Sequence, residues 1–214
     1  MPSTAYIEYQ KNLKDVHRLV LLHKSQSGHK PGKRSLGHIT RGGLLMLCAA
    51  WERYVETVAL EGATFLTHRL PTHAALPPTP RQKVTDYVNS AKNAWSVAQL
   101  ATPTWTTIYL EMLEKRTDAL NTPKHENLQL LFEHFLDVPD IAAFWSVPST
   151  EVDAFVKLRG EVAHRGGQSQ YIHFGRLTQL EQAVSEWVVS TDNGLSDHLG
   201  VLVAPHRRPW NRIR

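Results

Sequence analysis

Cysteine is almost absent from this chain, because Cys48 is the only one among 214 residues. A single cysteine excludes an internal disulfide framework and a zinc site built from several cysteines. Cys48 lies in the apolar stretch LLMLCAAW, which is typical of a helix that faces a protein core. We therefore interpret Cys48 as a buried structural residue.

Long hydrophobic runs are also missing, since no stretch reaches the roughly 18 apolar residues that a membrane-spanning helix requires. The opening segment MPSTAYIEYQKNLKD carries acidic residues and no uninterrupted apolar run, so it does not resemble a secretory signal. The content of 42% hydrophobic and 21% charged residues suits one domain with a substantial core. We expect a single cytoplasmic domain over residues 1–214, with a basic tail from about residue 198.

Acidic residues are lacking in two parts of the chain. None occurs between Val16 and Trp51, and none follows Asp197, whereas both parts contain several basic residues. Such blocks favour a polyanion such as RNA, which is bound with release of counterions. Each block taken alone is explained equally well as a solvated loop or a frayed tail. The residues that we predict to contact RNA are Lys30, Lys33, Arg34, Arg41, Arg207 and Arg208.

Helical periodicity dominates the sequence, and the alternation typical of strands is nearly absent. The glycine- and proline-rich stretches SQSGHKPGKRSLG and HRLPTHAALPPTP predict loops. We expect an all-α bundle with two long and several shorter helices. The predicted helices cover about 4–24, 36–67, 81–95, 106–120, 124–136, 150–166 and 174–190.

The stretch LRGEVAHRGG places Arg159 five residues before His164. Thr150 and Asp153 upstream resemble a capping box, and Gly166 or Gly167 can end the helix, so His164 falls in its last turn. The spacing alone is weak evidence. With 14 arginines and 12 histidines, about one such pair is expected by chance.

A second pair with the same spacing, Arg18 and His23, occurs in RLVLLH. Four apolar residues separate its members, so we interpret it as an ordinary helix with polar ends. The residues around Arg159 and His164 differ, since a glycine stop follows an amphipathic helix there.

The stretch around Arg159 and His164 resembles the HEPN superfamily of all-α domains. The signature of that superfamily is an arginine, four to six residues and a histidine, commonly R-N-x-x-A-H-G. The stretch LLMLCAAWERYVETVA, with Glu52, resembles the long early helix of small prokaryotic HEPN proteins. The stretch NLQLLFEHFLDVPDIAAFW resembles their linker helix. The resemblance covers about residues 5–188. Gly160 stands where the family usually has a polar residue, which can loosen the helix or remove a hydrogen bond.

The resemblance implies an endoribonuclease that needs no metal or other cofactor, often the toxin of a toxin-antitoxin or phage-defence system. It implies that His164 moves protons and that Arg159 stabilises the charge of the phosphorane-like transition state. Glu52 can orient Arg159, or it can be a solvated carboxylate. Arg165 can contact the RNA backbone or cap the helix. A homodimer and a cognate antitoxin are the implied protein partners.

The two motif residues do not share a face of an ideal helix, because five residues at about 100° each place them roughly 140° apart. Either the helix opens at its glycine end, or two protomers each contribute a motif to one cleft. A non-catalytic HEPN-like module that binds RNA, a nucleotide or a protein is the alternative function. Trp210 in the basic tail can stack on a base, although we expect it to dock on its own domain.

Other hydrolase chemistries find little support in the sequence. His125, Glu126 and His134 do not follow a metal-ligand pattern such as H-E-x-x-H, and we interpret them as helix-surface residues. No G-x-S-x-G elbow and no P-loop motif occurs.

Overall fold

The structure is a computed structural model that describes residues 1–27, 36–90, 94–166, 171–203 and 205–214. Within these residues the chain forms eight α-helices and no strand, which confirms the predicted all-α class. The helices are α1 (Thr4–Ser27), α2 (Gly37–Arg69), α3 (Pro78–Ser90), α4 (Ala94–Gln99), α5 (Trp105–Asp118), α6 (His125–Leu136), α7 (Ser149–Arg165) and α8 (Phe174–Leu202). Short 3-10 turns at His73–Ala75 and Ile141–Phe144 lie in two of the connections.

Helix α2 is the centre of the bundle. Its 33 residues extend for about 50 Å, and it packs against α1, α5, α6, α7 and α8. Apolar residues of α2 at three- and four-residue steps are buried, and Trp51 is completely inaccessible. The Trp51 ring meets the edges of Trp145 and Trp187, with centroids 6.3 and 6.1 Å away. These aromatic contacts fix α2 against the final helix and the connection that precedes α7.

The first turn of α1 is tied to α2 by hydrogen bonds. The Ser3 hydroxyl accepts from the backbone N–H of Tyr6 at 2.9 Å, which is the usual role of a serine at a helix start. The Glu61 carboxylate accepts from the N–H groups of Thr4 and Ala5 at 3.0 and 3.1 Å. A carboxylate here also complements the positive end of the helix dipole.

Several helix boundaries differ from the prediction. In place of the helix predicted over about 81–95, α3 ends at Ser90 and a separate helix, α4, begins at Ala94. Helix α3 begins at Pro78, inside the stretch predicted to be a loop, because prolines in a first turn lose no intrahelical hydrogen bond. Helix α8 continues through Leu202 rather than ending near Ser190. It passes Gly194, where the missing side chain leaves space for the Phe144 ring.

The capping box predicted at the start of α7 is not formed. Pro148 precedes the first residue of α7, and no side chain caps that end. The Asp153 carboxylate instead accepts a hydrogen bond from the backbone N–H of His125 at 2.8 Å. It therefore caps the start of α6, a tertiary contact that the local pattern does not contain.

The C-terminal tail is docked on α8 rather than frayed. The Trp210 indole is 6% exposed and donates to the carbonyl of Asp192 at 3.0 Å, as we expected of this tryptophan. The Ser196 hydroxyl donates to the carbonyl of Trp210 at 2.6 Å. The backbone N–H of Asn211 donates to the carbonyl of Met1 at 2.9 Å, which joins the two ends of the chain.

Gly160 is expected to be a site where alanine stabilises the fold. It lies inside α7, and a Cβ atom there would meet nothing within 4 Å. Gly160→Ala should therefore raise the free energy of unfolding by up to about 1 kcal/mol, measured by urea denaturation. The matched control is Gly194→Ala in α8, whose Cβ would lie 2.5 Å from the Phe144 ring and should lower stability by about 1 to 3 kcal/mol. A loss of stability at both positions would contradict the open environment of Gly160.

Asp192 is expected to make stability depend on pH. The carboxyl is fully buried and accepts a hydrogen bond from Ser3; burial raises its pKa from 3.8 to about 6, against the lowering effect of that bond. The folded state therefore holds the proton more tightly than the unfolded state, so this group's contribution to stability rises as pH falls through 6 towards 4. Two pH units correspond to about 3 kcal/mol.

Asp192→Asn removes this titration. We expect the melting temperature of the variant, relative to that of the unchanged protein, to be higher at pH 7.5 than at pH 5, measured by differential scanning calorimetry. A difference that is the same at both pH values would contradict the assignment.

Candidate active site

Helix α7 directs Arg159 towards α2, where three acceptors hold its guanidinium. The Nε donates to the Cys48 Sγ at 3.4 Å, and Nη2 donates to the Glu52 Oε2 at 3.5 Å. Nη2 also donates to the backbone carbonyl of Asn121 at 3.4 Å. About a quarter of the Arg159 side chain remains exposed.

Glu52 therefore pairs with Arg159, as the sequence suggested, and is not a freely solvated carboxylate. The contact uses a single guanidinium nitrogen, so it is weaker than a bidentate pair. Burial raises the pKa of Glu52, and the charge of Arg159 partly offsets this effect. Glu52 thus restricts the orientation of the arginine without consuming all of its donors.

Cys48 is the acceptor that sequence reasoning missed. It is completely buried, as predicted, and burial raises the pKa of its thiol, so the group is uncharged at neutral pH. Its hydrogen bond is the main cause of a raised pKa of Arg159, which keeps the guanidinium charged. The spacing of Cys48 and Glu52, one helical turn apart on α2, is a signal that could have grouped them.

His164 lies in the last turn of α7 and is exposed. Helix α7 is unbroken from Arg159 through Gly160 to Arg165, and it ends at Gly166, whose φ is 50°. Gly160 therefore does not open the helix. The glycine at the C-terminal end, Gly166, ends the helix only after His164. The two motif side chains leave one regular helix in directions about 140° apart and are offset by about 7.5 Å along its axis.

The end of α1 and the starts of α2 and α8 meet in one region of the bundle. The His23 ring near the end of α1 stacks on Phe174 at the start of α8, with centroids 4.7 Å apart. At the start of α2, a Cβ on Gly37 would lie 2.9 Å from the Tyr171 ring, just before α8. Glu161, which precedes His164 by three residues on α7, lines a groove together with Tyr171, so the last turns of α7 lie next to this region. We call this region the cationic end; its basic and imidazole side chains are Lys24, His38, Arg41, His164, Arg165, His173 and Arg176.

The first basic block of the sequence thus contributes to the same end of the bundle as the motif. Arg41 lies about 10 Å before Cys48 along α2, and His164 lies about 7.5 Å beyond Arg159 along α7, both towards the cationic end. Arg41 is partly exposed there, and its Nη1 would lie 3.1 Å from a Cβ on Gly37. The predicted RNA contacts Lys30, Lys33 and Arg34 lie outside the described residues.

The second basic block is placed elsewhere. Its anchor on α8, Asp192, lies about 27 Å along the helix axis from Phe174 at the cationic end. Arg208 forms an ion pair with Asp197, in which its Nε lies 2.6 Å from Oδ1. Asp197 also pairs with Arg212. Arg207 is exposed. Within one protomer, therefore, the tail does not extend the surface around His164.

The Arg18 and His23 pair does not form a second site. Arg18 pairs with Asp15 of its own helix at 2.8 Å, while the His23 ring is 9% exposed and packed on Phe174. The same spacing thus serves ordinary helix packing here, as predicted.

A groove that the sequence reading missed borders the cationic end. It lies between α7 and the segment 171–176, and Lys157, Glu161, Tyr171, His173 and Arg176 contribute its polar lining. The run QYIHFGR, with an aromatic residue, a histidine and an arginine after the motif glycines, is the signal that could have indicated it.

The described residues contain no group of three or more His, Cys, Asp or Glu side chains arranged to hold a metal ion. His125 instead contacts the Asp140 carboxylate at 3.2 Å. None of the described helices combines the length and the apolar character needed to cross a membrane.

Comparison with protein families identifies the family of the chain. The family model described as RiboL-PSP-HEPN matches residues 7–197, which includes α7 and both motif residues. The chain belongs to this HEPN family. HEPN domains are commonly ribonucleases that act on RNA. No curated protein and no solved structure matches the chain at significant similarity.

Proposed function

We propose that this HEPN domain is a metal-independent endoribonuclease and serves as a toxin-antitoxin or phage-defence effector. The observation that carries the proposal is the different setting of the two motif residues. Arg159 is fixed by Glu52 and Cys48 yet partly accessible, while His164 is exposed in the last turn of α7. A cognate antitoxin would restrain such an enzyme in the cell.

The chemistry needs one proton donor and acceptor and one fixed positive charge. The ribose 2′-hydroxyl attacks the adjacent phosphorus as its proton passes to an imidazole, the P–O5′ bond breaks, and the leaving oxygen takes a proton. The His164 imidazole can perform either transfer, because one ring nitrogen of an imidazole can accept a proton while the other carries one. The Arg159 guanidinium stabilises the charge that collects on the non-bridging phosphate oxygens.

We assign the complete site to a homodimer. Because α7 is unbroken, Arg159 and His164 of one chain point in different directions. A twofold axis beside α7 brings the arginine of one protomer towards the histidine of the other. The family resemblance supports the same arrangement.

The activity is tested by incubating the purified protein with RNA in the presence of EDTA. Fragments that end in a 2′,3′-cyclic phosphate support the enzyme. RNA binding without fragments, unchanged by His164→Ala, supports the alternative of a non-catalytic binding module. The effector role predicts that expression of the unchanged chain arrests growth and that expression of the variant does not.

The shared site is tested by mixing two inactive chains. A dimer of one Arg159→Ala chain and one His164→Ala chain, each with its own purification tag, keeps one intact composite site. We expect about half of the activity of the unchanged dimer. A mixed dimer as inactive as either parent would contradict a site shared between protomers.

A further inference from the structure

We propose that the groove between α7 and the segment 171–176 binds one nucleotide of the RNA next to the cleaved bond, with Tyr171 stacked on its base. This inference rests on the proposed function and adds a binding subsite to it. The subsite is separate from Arg159, which faces α2. The groove is lined by Lys157, Glu161, Tyr171, His173 and Arg176 together with apolar side chains.

The groove lies on the same side of α7 as His164. Lys157 precedes His164 by seven residues, which places the two about 20° apart around the helix axis. Glu161 precedes it by three residues and is about 60° away. A nucleotide in the groove is therefore one step along the strand from a phosphate that His164 can reach.

Tyr171 is held in a position where a base can stack on it. Its ring packs on the bare backbone of Gly37, where a Cβ would come within 2.9 Å, and contacts the His173 ring edge-on at 4.9 Å. The residue is still 37% exposed. A fixed, partly open aromatic ring is what unpaired bases use as a platform, because every base has a π-face.

The charges of the groove suit a phosphodiester. Lys157 on α7 and Arg176 on α8 are both exposed and line the same groove. His173 also lines this groove. Glu161 is the carboxylate of the groove, and it can accept a hydrogen bond from a ribose hydroxyl. Two permanent cations against one carboxylate leave the groove positive.

The test measures binding of a short RNA that carries 2′-O-methyl groups and is not cleaved. Tyr171→Ala should raise the Kd about 5- to 100-fold, since one stacked base is lost. Tyr171→Phe should restore most of the affinity. Gly37→Ala keeps the tyrosine at position 171, but the added Cβ should displace its ring and so should also weaken binding. Arg176→Ala should weaken binding and reduce the salt dependence by the contribution of about one phosphate contact.

Tyr87→Ala is the matched control, because Tyr87 lies on α3 and is exposed to the same degree, 38%. It should bind like the unchanged protein. Equal affinity of Tyr171→Ala and the unchanged protein, or an equal loss with Tyr87→Ala, would overturn the subsite. Circular dichroism of each variant separates a binding loss from unfolding.

The design separates the subsite from the nuclease proposal. Cleavage that proceeds with the same KM in Tyr171→Ala and Arg176→Ala rejects the groove and leaves the nuclease intact. Tight binding that depends on Tyr171 but is never followed by cleavage keeps the groove and rejects the nuclease. Cleavage with a raised KM and a nearly constant kcat in Tyr171→Ala supports both.

Discussion

Replacement of His164 by alanine is expected to slow RNA cleavage about 100- to 10,000-fold, which is the usual contribution of a general acid or base. The imidazole is exposed in the last turn of α7, so its removal should leave the fold unchanged. Initial rates with a fluorogenic RNA measure the effect. The matched control is His68→Ala, which removes an exposed histidine from the last turn of α2.

The control variant should cleave at the unchanged rate, because His68 lies at the opposite end of α2 from the cationic end. A His164→Ala enzyme that retains more than about a tenth of the activity would reject the catalytic role. Direct measurement of RNA binding separates the two possible causes of a loss. Binding should change little, since His164 is assigned to proton transfer.

Arg159→Ala should have an effect of similar size, about 100- to 1000-fold, because it removes the charge that stabilises the transition state. Arg159→Lys should restore little of it. A lysine keeps the charge, but it lacks the planar set of donors that contacts both Cys48 and Glu52. Arg18→Ala, which removes another arginine paired with a carboxylate, is the control and should remain active.

Replacement of Trp51 by alanine is expected to have the largest effect on stability. The side chain is completely buried and contacts the rings of Tyr54, Trp145 and Trp187. Removal of such a residue costs about 3 to 5 kcal/mol, from lost burial and from the cavity that remains. For a domain of this size, 4 kcal/mol lowers the melting temperature by roughly 8 to 16 °C.

Trp51→Phe should cost less than half as much, because the ring contacts are partly kept. The indole N–H of Trp51 finds no hydrogen-bond partner in the described part of the chain, so its removal carries no loss of a hydrogen bond. The control is Met46→Ala at a position of α2 that is 44% exposed, and it should change stability little. Equal losses at the two positions would contradict the central role of the aromatic cluster.

Much of the fold was predictable because helices are encoded locally. The apolar stripe from Leu44 to Val58 repeats every three or four residues, and the structure buries it along α2. The errors lie at helix ends, where the partner is remote. Asp153 caps α6 instead of α7, and the Phe144 ring packs where Gly194 has no side chain.

The candidate site was predictable only in part. The motif pattern singled out Arg159 and His164, and the family match now includes both. The pairs Arg18–His23 and Arg159–His164 have the same spacing. Only the residues around each pair, such as the glycines after His164, indicated which pair to select. Cys48 and the Asn121 carbonyl were not predicted, because no local pattern relates them to Arg159, from which they are 111 and 38 positions away. Tyr171 was missed although it follows the motif closely in the sequence.

The sequence by itself determined the all-helical class, the positions of most helices and the family, and it singled out Arg159 and His164 as the candidate catalytic residues. Periodicity, prolines, glycines and a short motif encode these properties within one or two helical turns. Only the tertiary structure decided that the end of α1 and the starts of α2 and α8 meet in one region bordered by α7, while the second basic block docks about 27 Å away along α8. The reason is physical: which charges become neighbours depends on how buried faces such as that of Trp51 pack, and packing joins parts of the chain that no spacing rule connects.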